Sequence, residues 1–300
     1  MSLMVVGSIA FDTIETSNGI EQDLLGGSAT YFSLAASKYT NLYMVGVVGK
    51  DFPQAILKNF EDRGISTKGV ERKEGNTFRW WGRYSEDMNH RQTIEVELNV
   101  FEKFEPKIPT EIEEIEYLFL GNGSPQTQLS VLDQMKKPPK FTALDTMDLW
   151  IQTKRPELME VLKRIDAIIL NDEEARLLTE EYNLIKAGRM ILHYGPKVVI
   201  IKKGEHGAIM VSYEGIFTTT AFPLESFLDP TGAGDSFAGG FMGYLCQQDD
   251  TSLGTLKKAI LHGTVVASFT VQDFGTRALE NLKKEEIENR LEEFMSLLYV

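Results

Sequence analysis

Short apolar runs recur along the chain, separated by longer stretches of mixed polarity. They lie at residues 5–10, Leu42–Val48, Tyr117–Leu120, 141–144, 167–170 and 198–201. Such runs lack polar alternation, so both faces of each strand are buried, as in a parallel sheet covered by helices on each side. Between the runs, residues 29–39 place Ala29, Phe32, Leu34, Ala35, Ala36 and Tyr39 at helical spacing. A second helix is expected over 53–63, stopping at Gly64, because glycine tolerates the left-handed conformation that ends helices. The rhythm predicts an α/β fold of three layers, α/β/α, around a mostly parallel central sheet.

Residues 77–100 break that rhythm. Two β-like arms, 77–84 and 93–100, flank a polar turn at 85–92. The second arm alternates, with Ile94, Val96, Leu98 and Val100 on one face. A greasy face of this kind needs a cover, which points to a small β-hairpin lid, a dimer contact, or both. Without a repeat, linker or low-complexity tract, residues 1–300 read as one domain, with the lid inserted near 77–100 and a further strand segment near 10–16.

Charge and composition narrow the partners. The 300 residues are 42% hydrophobic with a net charge of −13, which argues against nucleic acid and against anionic membrane surfaces. No apolar run approaches the length of a membrane span, and a cytoplasmic location is expected. One cysteine, Cys246, excludes an internal disulfide, and the four histidines show no metal-ligand spacing.

Chemistry concentrates in Asp229-Pro230-Thr231-Gly232-Ala233-Gly234-Asp235-Ser236-Phe237. Three small residues precede an acid, and a helical run follows. Small residues let backbone N–H groups approach a ligand, and a helix start supplies unpaired N–H groups and a positive dipole end. Gly232, Ala233 and Gly234 therefore make an anion site suited to phosphate. Asp235 in the same place would repel a phosphate that merely binds. It makes sense as a base that takes a proton from a group attacking the phosphate, although an acid here also suits a helix cap. There is no P-loop, no dinucleotide fingerprint and no Gly-x-Ser-x-Gly elbow.

This stretch closely resembles the C-terminal signature of the ribokinase-like, or PfkB, carbohydrate kinases. Leu25-Gly26-Gly27-Ser28-Ala29 with Val45-Gly46-Val47-Val48-Gly49-Lys50-Asp51 is similar to their N-terminal signature. Asn171-Asp172-Glu173-Glu174 is similar to their Asn-x-x-Glu element, and Lys202-Lys203-Gly204-Glu205-His206-Gly207 to their nucleotide-binding segment. The resemblance covers nearly the whole chain and implies a ribokinase-like fold. It implies ATP as co-substrate, with Asp235 as base and Gly232 to Gly234 as anion hole. It assigns Asn171 and Glu174 to Mg²⁺ and phosphates, largely through water, and Lys202, Gly204 and Gly207 to the nucleotide. Asp12, Gly26 and Gly27 would bind the acceptor. Asp229, with Gly275, falls near a monovalent-cation site, such as one for K⁺, found in some members.

Two departures bear on the acceptor. Members that phosphorylate sugars commonly have Asn where this chain has Tyr31, and a phenol cannot copy an amide's paired donor and acceptor. The lid adds Arg79, Trp80, Trp81, Arg83 and Tyr84, suited to stacking or phosphate pairing but equally to building the hairpin or a homodimer seam. The leading expectation is a kinase acting on a hydroxymethyl group of a sugar or sugar-like molecule. A nucleoside kinase with the same catalytic end is the second, and a non-catalytic sugar or nucleotide sensor is the third.

Overall fold

The structure, a computed structural model, describes residues 1–298 except 87, 89 and 113. The chain opens with β1 (Leu3–Val6), β2 (Ala10–Thr16), β3 (Gly19–Gly26), α1 (Ser28–Ala36), β4 (Leu42–Val48), α2 (Gln54–Asp62) and β5 (Ile65–Arg72). Next come β6 (Phe78–Tyr84), β7 (Arg91–Glu97), β8 (Tyr117–Leu120), α3 (Pro125–Gln134), β9 (Phe141–Asp145), α4 (Asp148–Thr153), α5 (Arg155–Leu162) and β10 (Ala167–Asn171). The last part holds α6 (Asp172–Thr179), α7 (Leu184–Leu192), β11 (Val198–Lys202), β12 (Ala208–Ser212), β13 (Ile216–Thr219), α8 (Ala233–Gln248), α9 (Leu253–Thr270), α10 (Arg277–Asn281) and α11 (Lys284–Leu298).

Nine strands form the main sheet in the order β13-β12-β11-β10-β9-β8-β1-β4-β5. Pairing is parallel from β5 through β11, and β12 and β13 add an antiparallel edge. The apolar runs behave as their patterning predicts. Along β8, Tyr117 and Phe119 enter the core on one side of the sheet, and Leu118 and Leu120 the core on the other. Phe119 stacks on Phe32 of α1, with ring centroids 4.4 Å apart. Gly239, Gly240 and Gly243 make α8 a thin rod, letting it lie close to the backbone of α1 and α9.

One predicted strand divides. The run 5–10 spans the end of β1, a break, and the first residue of β2, which belongs to a different sheet. The break is held by reciprocal bonds between Ser8 and Ser28, and by Ala29 N–H donating to Ser8 C=O at 3.0 Å. These contacts bring the start of α1 to the carboxyl end of β1.

The lid is a four-stranded sheet, β3-β2-β6-β7, of which the sequence-predicted hairpin β6–β7 is half. β2 runs parallel to β6, and β3 pairs antiparallel on its other side. Gly19–Gly26 carries charged residues and is largely exposed, so it gives little periodic signal. The expected single face of the second arm does not form. Val100 lies outside β7 and is buried in the main core, while Val96 and Leu98 remain 48% and 41% exposed. Among the described residues, nothing buries those two further.

Candidate active site

Strand β10 ends at Asn171, which caps α6 in a reciprocal box. Its Oδ1 accepts the Glu174 N–H at 2.7 Å, and Glu174 Oε2 accepts the Asn171 N–H at 2.8 Å. Both side chains thus serve the helix start, and each keeps one polar atom free of that box. The β10–β11 register sets Lys202 beside Asn171. On the other flank, β9 ends at Asp145, whose Oδ1 lies 3.9 Å from Lys202 Nζ and accepts the Thr146 N–H.

Helix α8 begins where these strand ends meet. Gly232 is its N-cap at φ +74°, and Asp235 lies in its first turn. Glycine is required at 232, because a Cβ there would stand only 2.3–2.4 Å from three atoms of the Tyr31 ring. A Cβ on Gly234 would stand 2.6 Å from Lys202 Nζ. The Ala233 N–H already donates to Pro230 C=O at 3.2 Å, which closes the turn into the helix. Of the three expected anion donors, Gly232 and Gly234 therefore keep the freer N–H groups.

The residues expected to bind the acceptor come from α1 and the lid. Asp12, on β2, is 4% exposed and lies so close to Gly26 that no side chain fits there. Its carboxylate takes the Gly27 N–H. Tyr31 is 1% exposed and its hydroxyl has no hydrogen-bond partner among the described residues. Tyr84, on β6, reaches across to bond Thr231 Oγ1 at 3.0 Å, tying the lid to the anion loop. Asp229 is fully buried and spends both oxygens on backbone N–H groups, of Thr231 at 2.8 Å and Gly275 at 2.9 Å. That role is a loop anchor, and it leaves the expected cation site without support from this geometry.

Crowded acids in a dry site shift one another. Burial pushes Asp235 up to about 7, with the Asp145 charge adding to it and Lys202 and Arg91 opposing. Glu174 rises to about 7 for the same first two reasons. Burial, then Asp229 and Asp235, take Asp12 to about 8. Burial also raises Asp145, against the pull of Lys202. Burial works against the charge on Lys202, yet Asp145, Glu174 and Asp235 together hold its pKa above the ordinary lysine value. A base poised near 7 suits proton removal from a hydroxyl.

The structure thus groups Asp12, Gly26, Gly27, Tyr31 and Gly232 on one side and Asn171, Glu174, Lys202 and Gly234 on the other, with Asp235 between them, its charge acting on both Asp12 and Lys202. Gly204 and Gly207 form the tight turn directly after Lys202, joined by Gly207 N–H to Gly204 C=O at 3.1 Å. Asp145 was visible in the sequence only as one polar residue among several at strand ends, and Arg91 carried no signal. Two of the lid arginines, Arg79 and Arg83, are held by carboxylates, and Arg79 also lies 3.8 Å from Asp51. Arg79 pairs with Asp23 and lies over Phe11, and Arg83 pairs with Glu15 at 2.9 Å. Trp80 covers Gly82 and joins Ile14, Leu24 and Phe274 at the seam with the body.

Comparison with known proteins identifies the family and the fold. Residues 2–283 match the pfkB family carbohydrate kinase profile. The cytidine kinase of Thermococcus kodakarensis is 30% identical over 81% of this chain and 87% of its own length. The nucleoside kinase of Methanothermobacter thermautotrophicus is 26% identical over 92% of this chain and 91% of its own. Among solved structures, the Burkholderia thailandensis nucleoside kinase in complex with inosine superposes with a TM-score of 0.81 at 21% identity, covering 98% of this chain and 99% of that one. The Methanocaldococcus jannaschii nucleoside kinase, a member of the ribokinase family, gives 0.76 at 21%, covering 97% and 98%. The chain has the ribokinase fold and belongs to the PfkB family of carbohydrate kinases, phosphotransferases with an alcohol group as acceptor.

Proposed function

We propose that this kinase transfers the γ-phosphoryl group of ATP to the hydroxymethyl group of a nucleoside. The observation that carries the choice of acceptor is the cytidine kinase relative at 30% identity over most of both chains. Tyr31, standing where sugar-phosphorylating members use an amide, supports it.

In this reading Asp12 and the Gly26-Gly27 backbone hold the sugar hydroxyls, and Asp235 takes the proton from the attacking hydroxyl. Asp12, at about 8, keeps its proton near neutrality while Asp235, at about 7, sheds its own. The Gly232 and Gly234 N–H groups and the α8 dipole offset charge on the moving phosphoryl group, where transfer depends mainly on positioning and electrostatics. Gly204 and Gly207 would lie along the nucleotide. Among the described residues no three His, Cys, Asp or Glu side chains gather as a direct metal cage. The free atoms of Asn171 and Glu174, with Asp145 nearby, fit Mg²⁺ held through water. When bound, Mg²⁺ neutralises phosphate charge.

We further propose that two copies meet through the lid, burying Val96 and Leu98. Val96→Glu with Leu98→Glu would then lower the sedimenting mass at micromolar protein; an unchanged mass rejects the seam. Among the described residues no helix is long and apolar enough to cross a membrane, and the proposed place of action is the cytoplasm.

The acceptor is tested by melting and ADP release with nucleosides and free sugars. A true acceptor stabilises in proportion to its concentration over Kd. Cytidine or another nucleoside should raise the melting temperature and support turnover. Turnover with free ribose or fructose alone would overturn the nucleoside assignment.

A further inference from the structure

The lid holds the body along residues 227–231, the segment that leads into the anion loop. Asn18, in the turn between β2 and β3, donates from Nδ2 to the Phe227 C=O at 3.3 Å. Leu228 packs with Ile14, Leu24, Trp80 and Tyr84 of the lid and with Phe274 of the body. At the far end, Thr231 Oγ1 donates to the Tyr84 hydroxyl at 3.0 Å. Asp229 sits between these contacts and fixes the same segment to the Gly275 N–H. Gly275 in turn lies against Leu24, which a Cβ there would meet at 3.2 Å.

The sheet that makes these contacts also carries Asp12. Asp12 and Ile14 share the buried face of β2. β2 runs beside β6, with Asp12 opposite Trp80. Trp80 and Tyr84 are four residues apart on β6 and so lie on one face. A shift of the hydrogen-bonded sheet that moves Asp12 therefore moves Tyr84, and Tyr84 passes it to Thr231. Thr231 directly precedes Gly232, the N-cap of α8. The N–H donors of the anion loop thus begin one residue from a side chain held by the lid. Transfer that depends on positioning is sensitive at this point, since a misplacement of about 1 Å can cost about 10²-fold in rate.

We propose that Tyr84 is a positioning residue, which sets the anion loop through its bond to Thr231 and so couples the lid to the phosphate side of the site. This rests on the kinase reading and adds to it a residue that itself holds no ligand. Phosphates on the loop N–H groups steady Thr231, and Thr231 holds the lid down through Tyr84. By linkage the reverse also holds: an acceptor on Asp12 that seats the lid steadies the loop.

The test compares Tyr84→Phe, Thr231→Val and the double variant with wild type. Phe keeps the ring in the apolar seam and Val keeps the branched shape of Thr, so each single change removes one hydroxyl. Hydrogen exchange of the β6 amides is read with and without a non-hydrolysable ATP analogue and Mg²⁺, in the absence of acceptor. The analogue should slow that exchange in wild type. Each single variant should lose most of the slowing while its affinity for the analogue, by calorimetry, stays close to the wild-type value. With cytidine as acceptor, kcat should fall about three- to tenfold in each single variant, the size of one ordinary hydrogen bond, and no further in the double variant. Additive losses in the double variant would show that the two hydroxyls act separately and overturn the proposal. Exchange that slows equally in wild type and Tyr84→Phe overturns it too, as does a lower melting temperature with kcat unchanged, the mark of a purely structural tie. If cytidine is not turned over, the exchange arm decides alone. Failure of wild type to bind the analogue sinks the kinase reading, whereas wild type that binds it with no change in β6 exchange sinks only the role of Tyr84.

Discussion

Gly232 and Gly234 are two residues apart in the anion loop, yet alanine should act on them in opposite ways. At Gly232 the backbone has φ +74° and the new methyl would overlap the Tyr31 ring. The left-handed conformation costs an L-residue about 1–2 kcal/mol. Tyr31 is 1% exposed and cannot swing aside, so overpacking adds about 1–3 kcal/mol. Gly232→Ala should therefore lose roughly 2–5 kcal/mol, on the order of 10 °C in melting temperature for a chain of this size. At Gly234 the backbone is helical, and replacing helical glycine by alanine is worth roughly 0.5–1 kcal/mol. The methyl meets only the end of the flexible Lys202 side chain, at 2.6 Å. Normal contact begins near about 3.5 Å, so the ammonium must retreat by roughly 1 Å. A misplacement of that size can cost about 10²-fold in rate. Thermal melts and initial rates of ADP release on both variants decide the matter. Gly234→Ala should melt at or above wild type and turn over slowly, while Gly232→Ala melts early. Equal loss of stability in the two, or full activity in Gly234→Ala, would refute the reasoning.

Other expectations concern charge. The proposed base, Asp235, is pushed up to about 7, so kcat/KM should rise with pH through about 7; a profile flat from pH 5.5 to 8 would exclude it. The folded, ligand-free chain holds protons on Asp12, Glu174 and Asp235 up to about 8, 7 and 7, from ordinary values of 3.8, 4.5 and 3.8. The folded state therefore binds more protons than the unfolded one across that interval, and stability should fall as pH rises from 5 to 8. Asp12→Asn should flatten that decline in ligand-free melts and weaken the acceptor by about 10–100-fold; an unchanged slope would show that Asp12 does not carry its share. Asp229→Ala strands the Thr231 and Gly275 N–H groups, each costing about 1–3 kcal/mol when buried and unpaired; a variant as stable as wild type in urea would contradict the anchor role.

Strands buried on both faces were readable because burial imposes unbroken apolar runs, and Leu42–Val48 and Tyr117–Leu120 fall where the pattern sets them. Contiguity hid the division at residues 5–10, since the same apolar letters serve two sheets and only the Ser8–Ser28 contacts reveal the break. β3 was illegible because an exposed strand has no burial to pattern it. At the site, short-range motifs expose Gly232 to Asp235 and the Asn171–Glu174 box. Asp145 and Arg91 act across space from other elements and leave no local spacing to read. Arg79 and Arg83 had the composition of a phosphate site, but carboxylates absorb them, as the Glu15–Arg83 register shows.

In the proposed mechanism Asp235 prepares the hydroxyl that attacks the phosphoryl group. Asp235→Asn keeps size and polarity while removing the base, whose contribution is typically about 10²–10⁴-fold. Single-turnover rates of phosphorylated product, measured beside calorimetric binding of the ATP analogue, should show turnover lost and nucleotide affinity kept. Phosphorylation by Asp235→Asn at near wild-type rate would contradict the account.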